Sequence, residues 1–144
     1  MNVDLASFKY DQDMSYVEMY YSFPRSAITY SRENGLYNGG AVVHPLIRRE
    51  DEAEDPLLKN WRVPVSVKDT TGMSAKTLIG RVNYLLEPGR YRIAVITRDE
   101  ARPMVSDSVE LLYEVRDFAK KTVRFSDIEL ASSIKKMDED PANI

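Results

Sequence analysis

Apolar and polar side chains alternate along most of this chain, in short segments separated by glycine, proline, asparagine and aspartate. These turn-forming residues recur about every ten positions, a spacing that is typical of an all-β sandwich. The second segment shows the alternation most clearly, because successive side chains of a strand point to opposite faces. The set predicted to face the core is Val17, Met19, Tyr21 and Phe23. The other face of this strand then carries Tyr16, Glu18 and Tyr20.

The middle of the chain has the features of interrupted or edge strands. The Asn34-Gly35 pair predicts a tight hairpin turn, since both residues tolerate positive φ. The segment Leu36–Arg49 contains two adjacent glycines and Pro45, which lacks a backbone N–H, so we predict a bulged or edge strand. Trp61–Val67 alternates around a second proline and is also predicted to be an edge strand.

The following segments predict a second hairpin. Residues 78–86 and 91–95 alternate on either side of Glu87-Pro88-Gly89, and a further strand covers residues 109–115. Tyr91 has the position of the corner tyrosine of fibronectin-III and related sandwiches, whose hydroxyl bonds to nearby backbone.

The last segment fits two structures. Val123 and Phe125 alternate like strand residues, whereas Ser126 and Glu129 have the spacing of a helix capping box. We favour a strand that ends near residue 130. Residues 132–144 are polar and are predicted to form a tail or an inter-domain linker, so the domain is expected to span residues 1–131.

Together these segments predict an all-β domain, an antiparallel β-sandwich of the immunoglobulin or fibronectin-III type with about seven to nine strands. The 144 residues, 43% of them hydrophobic, suit a single core. There is no cysteine, which excludes disulfides, thiolate metal sites and the Cys-Trp-Cys framework of antibody domains.

The charge pattern narrows the choice of partners. Lysine and arginine number 20 and aspartate and glutamate 23, with both signs interspersed, whereas a nucleic-acid site needs clustered basic residues. No apolar run approaches the roughly 20 residues of a membrane span. We therefore expect neither nucleic-acid binding nor membrane insertion.

Candidate chemistry is sparse. There is no Gly-x-Ser-x-Gly elbow, phosphate-binding glycine loop or His-Glu-x-x-His motif. His44 is the only histidine and is interpreted as an ordinary strand or surface residue. Acidic residues in the range 51–55 offer oxygen ligands for Ca²⁺, but a solvated loop is favoured because the glycine and ligand spacing of a calcium loop are missing. We predict a protein that is not an enzyme, with no cofactor and no metal.

Aromatic residues supply the candidate interaction surface. It comprises Tyr16, Glu18, Tyr20 and Trp61, with Tyr30 and Tyr37 as further candidates. The first hypothesis is a structural or interaction module that contacts proteins or neighbouring domains, with weak self-association through the edge strands at Leu36–Arg49 and Trp61–Val67. The alternative is a carbohydrate-binding module that uses the surface tyrosines.

Four segments together resemble the first sandwich of bacterial GWxTD-domain proteins, which are envelope-associated chains found mainly in Bacteroidetes. They are residues 3–8, residues 16–21 ahead of Phe23-Pro24, residues 86–91 and residues 126–131. The resemblance implies a structural or interaction role, an extracytoplasmic location in the periplasm or at the cell surface, and no catalytic residues. The motif that names the family does not occur in these 144 residues, so the resemblance implies a segment upstream of it.

Overall fold

The computed structural model describes residues 1–51, 55–72, 75–118 and 125–128. The predicted domain boundary at residue 131 and the predicted tail at 132–144 lie outside this range. The described residues form nine strands and one short 3-10 turn at Arg25–Ala27. The strands are β1 (Asn2–Lys9), β2 (Ser15–Pro24), β3 (Ser31–Glu33), β4 (Leu36–Arg49), β5 (Leu57–Leu58), β6 (Trp61–Val67), β7 (Thr77–Leu86), β8 (Gly89–Asp99) and β9 (Ser106–Val115).

The strands form two antiparallel sheets. The smaller sheet has the order β1-β2-β7, and the larger contains the other six strands around β4. One edge of β4 pairs with β3 and β8, the opposite edge pairs with β5 and β6, and β9 pairs with β8. The larger sheet is curled like half of a barrel. The predicted all-β, antiparallel, sandwich-like class is therefore confirmed.

The core lies between the two sheets. The predicted inward set of β2 is buried, with Val17 and Met19 fully inaccessible to solvent. It packs in one cluster with the inward side chains of the larger sheet, among which Val43, Ile93 and Val95 are also fully buried. The period of two in the sequence thus predicts the inner face of β2 correctly, because these apolar side chains gain stability only when they leave water.

The tight turn at Asn34-Gly35 is confirmed. Asn34 and Gly35 have φ of 50° and 79°, and Glu33 pairs directly with Leu36. Two positive φ values at the two loop residues define the turn that matches the twist of a hairpin.

The predicted hairpin between β7 and β8 is wrong. β7 pairs with β2 in the smaller sheet, whereas β8 pairs with β4 and β9 in the larger one. The Glu87-Pro88 turn therefore carries the chain from one sheet to the other. Alternation on both sides of a turn indicates two strands, but it does not distinguish a hairpin from a crossing between two sheets that share a core.

The predicted edge position of β4 is also wrong, although β6 does lie at an edge. Ala41 pairs with β6 on one side and with β8 on the other, so β4 is central. Pro45 is compatible with this position because it lies opposite a break between β5 and β6, where that side of β4 has no ladder partner. The predicted self-association through β4 requires a free strand edge, and the neighbouring strands occupy both edges of β4.

The predicted hydrogen bond from the Tyr91 hydroxyl to nearby backbone is confirmed. Tyr91 is buried, and its hydroxyl donates a hydrogen bond of 3.0 Å to the carbonyl oxygen of Glu87. This bond fixes the start of β8 relative to the crossing turn.

We expect Tyr91→Phe to lower the free energy of unfolding by about 1 kcal/mol, because the Glu87 carbonyl loses a partner while the ring stays packed. Urea denaturation checks this. Tyr10→Phe is the matched control, since Tyr10 is 59% exposed, and it should leave stability unchanged. Equal effects in the two variants would contradict a structural role for the corner.

The segment from residue 125 to 128 is irregular, so the predicted strand does not extend through these residues. Side-chain and backbone bonds of Asp127 attach the segment to β1 and β9 instead. The remainder of the predicted strand lies outside the described residues.

Candidate interaction face

The outer surface of the β1-β2-β7 sheet contains three of the four predicted surface residues. Tyr16, Glu18 and Tyr20 point away from the core on β2, as their parity predicts. We call the surface formed by these three residues and Arg81 of β7 the Tyr16–Tyr20 face. Its centre is flanked by β1 on one side and β7 on the other.

The register of the sheet decides what surrounds each residue. Tyr16 lies between Phe8 and Leu85, and Tyr20 lies between Asp4 and Arg81. Directly opposed residues of neighbouring strands share a face and interact through their side chains. The face therefore has an apolar end around Tyr16 and a charged end around Tyr20.

Glu18 lies between these two ends and is only 6% exposed. The neighbour of Glu18 on β1 is the small residue Ala6, and a half-buried tyrosine lies on either side of Glu18 along the outer face of β2. One carboxylate oxygen accepts a hydrogen bond from the Tyr20 hydroxyl. The other accepts a bond of 2.8 Å from the Arg81 guanidinium. Both oxygens of this buried carboxylate are thus engaged, as its removal from water requires.

The electrostatics of the face follow from this arrangement. The pKa of the Tyr16 hydroxyl is raised, first by burial and then by the negative charge of Glu18. The pKa of Arg81 is raised by its hydrogen bond with Tyr20 and by the charge of Glu18. The Tyr16 hydroxyl is therefore neutral and Arg81 is charged at neutral pH. The arrangement presents a compensated ion pair between aromatic rings, which suits packing against another surface rather than proton transfer.

The fourth predicted surface residue, Trp61, lies elsewhere. Its indole Nε1 donates a hydrogen bond of 2.9 Å to the hydroxyl of Tyr21, which belongs to the core, and the two rings are 5.6 Å apart. Trp61 links the two sheets on the core side, since it pairs with buried Val43. It does not join the Tyr16–Tyr20 face.

Tyr30 and Tyr37 are also separate from that face. Tyr30 packs against the core, its hydroxyl donates to the carbonyl of Arg25 at 3.2 Å, and burial raises its pKa. Tyr37 lies on β4 with the guanidinium of Arg32 5.6 Å from its ring centre. The predicted aromatic surface is therefore reduced to Tyr16 and Tyr20.

The remaining candidates have ordinary partners. The Nδ1 atom of His44 lies 2.9 Å from the side-chain oxygen of Asn60. In the acidic loop, Asp51 pairs with the guanidinium of Arg49 at 2.9 Å, while residues 52–54 lie outside the described range. In the described parts of the chain, no three His, Asp or Glu side chains form a group that could hold a metal ion.

Arg81 was not predicted as part of the site. Its contact with Glu18 depends on the pairing of β7 with β2, whereas the sequence favours a β7–β8 hairpin. The sequence carries one signal: Arg81 is the single charged residue of residues 77–86 and has outward parity, so it can reach the outward carboxylate of Glu18 once β7 lies beside β2.

Comparison with known proteins gives no relative. No protein-family model, curated protein or solved structure matches this chain. Within the described residues, no helix has the length and apolar character needed to cross a membrane. The chain's role must therefore be inferred from its own surface.

Proposed function

We propose that this chain is a non-catalytic interaction domain that contacts a protein partner or a neighbouring domain through the Tyr16–Tyr20 face. The observation that carries the proposal is the buried Glu18, which is bonded to Tyr20 and Arg81 between two half-exposed aromatic rings. Tyrosine and arginine are enriched at protein interfaces because they combine large contact area with hydrogen bonding. The ion pair also holds these side chains in place, which reduces the entropy lost on binding.

We further propose that the fold is of the immunoglobulin or fibronectin-III type. The order β1-β2-β7 corresponds to strands A, B and E of that fold, and β4-β8-β9 corresponds to C, F and G. In the same scheme β6 is an additional strand beside C. The hydrogen bond of Tyr91 supports the assignment, because Tyr91 lies near the start of the strand that would be F.

The resemblance to GWxTD-domain proteins supports placing this domain in a larger bacterial envelope protein, outside the cytoplasm. Domains of this architecture serve as spacers and contact modules in many extracellular proteins. In such a chain the partner of the Tyr16–Tyr20 face is an adjacent domain or another envelope protein.

Site-specific photocrosslinking in the native cell tests the proposal. A photoreactive phenylalanine analogue replaces Tyr16 or Tyr20 in one set of variants and Leu112, exposed on β9 of the other sheet, in the control. We expect a discrete protein adduct, or a crosslink to a neighbouring domain, from positions 16 and 20 and none from position 112. Adducts of equal yield from all three positions would contradict a specific face.

A carbohydrate-binding role is the second candidate, since Tyr16 and Tyr20 are half-buried on one face and lie about 13 Å apart along β2. Retention of the chain on a polysaccharide, abolished by Tyr16→Ala, would favour this role over protein contact. The engagement of the Tyr20 hydroxyl by Glu18 argues for the protein role, because that hydroxyl is already used.

A further inference from the structure

The outer edge of β7 is unpaired within the described residues. β7 has ten residues and pairs with β2, and among the described residues no strand pairs with its other side. Alternate backbone N–H and C=O groups along that side therefore point outward, ready to bond another strand. The strand contains no proline and a single charged residue, Arg81.

The other long edges carry features that oppose strand addition. β6 has Pro64 near its middle, and β9 contains three acidic residues, Asp107, Glu110 and Glu114. β1 is occupied at Ser7 by Asp127 of the segment that spans β1 and β9. Proline, like charges and covering segments are the usual means by which edges avoid pairing. In the part of the chain that the structure describes, β7 has none of these three features.

We propose that β7 pairs antiparallel with β7 of a second copy of this chain, about a two-fold axis at Val82. This contact uses the edge of β7 rather than the Tyr16–Tyr20 face, so it goes beyond the proposed function. The two smaller sheets would join into one continuous sheet with the order β1-β2-β7-β7-β2-β1, and the cores would lie on the same side of it. A two-fold axis makes the contact self-complementary, since each residue meets its counterpart twice.

The register follows from the side chains. With Val82 on the axis, Ile79 of one copy lies opposite Leu85 of the other. Both are apolar and exposed, at 78% and 44%, and both point away from the core. Arg81 lies opposite Asn83, which avoids a clash of like charges. On the inner side Gly80 lies opposite Tyr84, so a residue without a side chain faces a large ring.

Neighbouring registers are less favourable. An axis at Arg81 places two guanidinium groups directly opposite each other, which is destabilising. An axis at Asn83 places Arg81 opposite Leu85 and leaves Ile79 beyond the end of the partner strand. The Val82 register is the one that covers both exposed apolar residues and separates the charges.

Disulfide trapping tests the register, because the chain has no cysteine of its own. The variant carries Ile79→Cys and Leu85→Cys. These positions are about 20 Å apart along one strand, so they cannot bond within one copy, but across the axis their Cα atoms lie about 5 Å apart. On oxidation we expect a covalent dimer with the 79–85 linkage, identified by mass spectrometry. If the single-cysteine variants crosslink as fast as the double variant at equal concentration, the register is wrong.

Sedimentation velocity of the unmodified chain over a concentration series tests the association itself. We expect a monomer–dimer equilibrium that Ile79→Lys weakens about tenfold, because two apolar cross-strand pairs are lost. Leu112→Lys, an exposed change on the other sheet, should leave it unaltered. A strict monomer at every concentration, or equal loss in both variants, overturns the proposal. Photocrosslinks from positions 16 and 20 to a different protein would then still support the proposed function.

Discussion

Replacement of Asp127 by alanine is expected to lower the free energy of unfolding by about 3 kcal/mol. The Asp127 carboxylate accepts hydrogen bonds from the backbone N–H of Ser7 at 2.8 Å and from the Tyr113 hydroxyl at 3.0 Å, and it pairs with Arg116 at 2.8 Å. Ser7 is fully buried, so its N–H group would lose its partner in a site that water reaches poorly. Chemical denaturation monitored by fluorescence measures the loss.

Glu110→Ala is the matched control for this prediction. Glu110 also pairs with an arginine at 2.8 Å, but both side chains of that pair are more than half exposed. An exposed pair contributes between zero and about 1 kcal/mol. A result in which the two variants lose the same stability would contradict the role of Asp127 as an attachment between β1 and β9.

The same contacts predict a dependence on pH. Burial raises the pKa of Asp127, but the hydrogen bonds from Ser7 and Tyr113 and the charge of Arg116 outweigh it, so the net pKa is lowered. A depressed pKa adds stability above the unfolded-state value of about 3.9, and this stability is lost as pH falls through the folded pKa. The difference in the free energy of unfolding between wild type and Asp127→Ala should therefore become smaller below about pH 4. A constant difference from pH 7 to pH 2 would contradict the ionic part of the contact.

The sequence predicts the strands of this domain better than it predicts their partners. The inward set of β2 and the turn at Asn34-Gly35 follow from local rules, because parity and positive φ are properties of a few consecutive residues. The pairing of β7 with β2 joins residues about 60 positions apart, and nothing in the local pattern of β7 distinguishes that partner from β8. The wrong prediction for β4 has the same cause. The proline and glycines of β4 indicate an edge strand, but the gap between β5 and β6 allows β4 to be a central strand.

The candidate site shows the same division. Tyr16, Glu18 and Tyr20 follow from the parity of one strand, and their outward placement is as predicted. The positions of Arg81 and Trp61 depend on how the strands are arranged. Arg81 belongs to the face because β7 lies beside β2, whereas Trp61 lies away from it because β6 belongs to the other sheet. An isolated tryptophan on an alternating strand gives no indication of which ring it meets across the core.

Gly80→Ala is expected to destabilise the domain by about 3 kcal/mol, although it adds a single methyl group in an extended strand. Gly80 lies opposite Tyr21, and a Cβ atom at this position would come within 2.2 Å of the end of the tyrosine ring. That ring cannot easily move away, because it is buried, stacks on Phe23 and accepts the hydrogen bond from Trp61 of the other sheet. The added methyl group must therefore disturb the contact that joins the two sheets.

A double-mutant cycle with Tyr21→Leu tests this explanation. The shorter leucine leaves room for a methyl group, so Gly80→Ala should destabilise the Tyr21→Leu background by less than about 1 kcal/mol, and the two changes should be strongly coupled. The neighbouring Ile79→Ala, at a position that is 78% exposed, should change stability by no more than about 0.5 kcal/mol. If Gly80→Ala had the same effect in both backgrounds, the clash with Tyr21 could not be its cause. Coupling of the predicted size would instead show that Gly80 is required by a ring held from the opposite sheet, a constraint that lies outside the local sequence of β7.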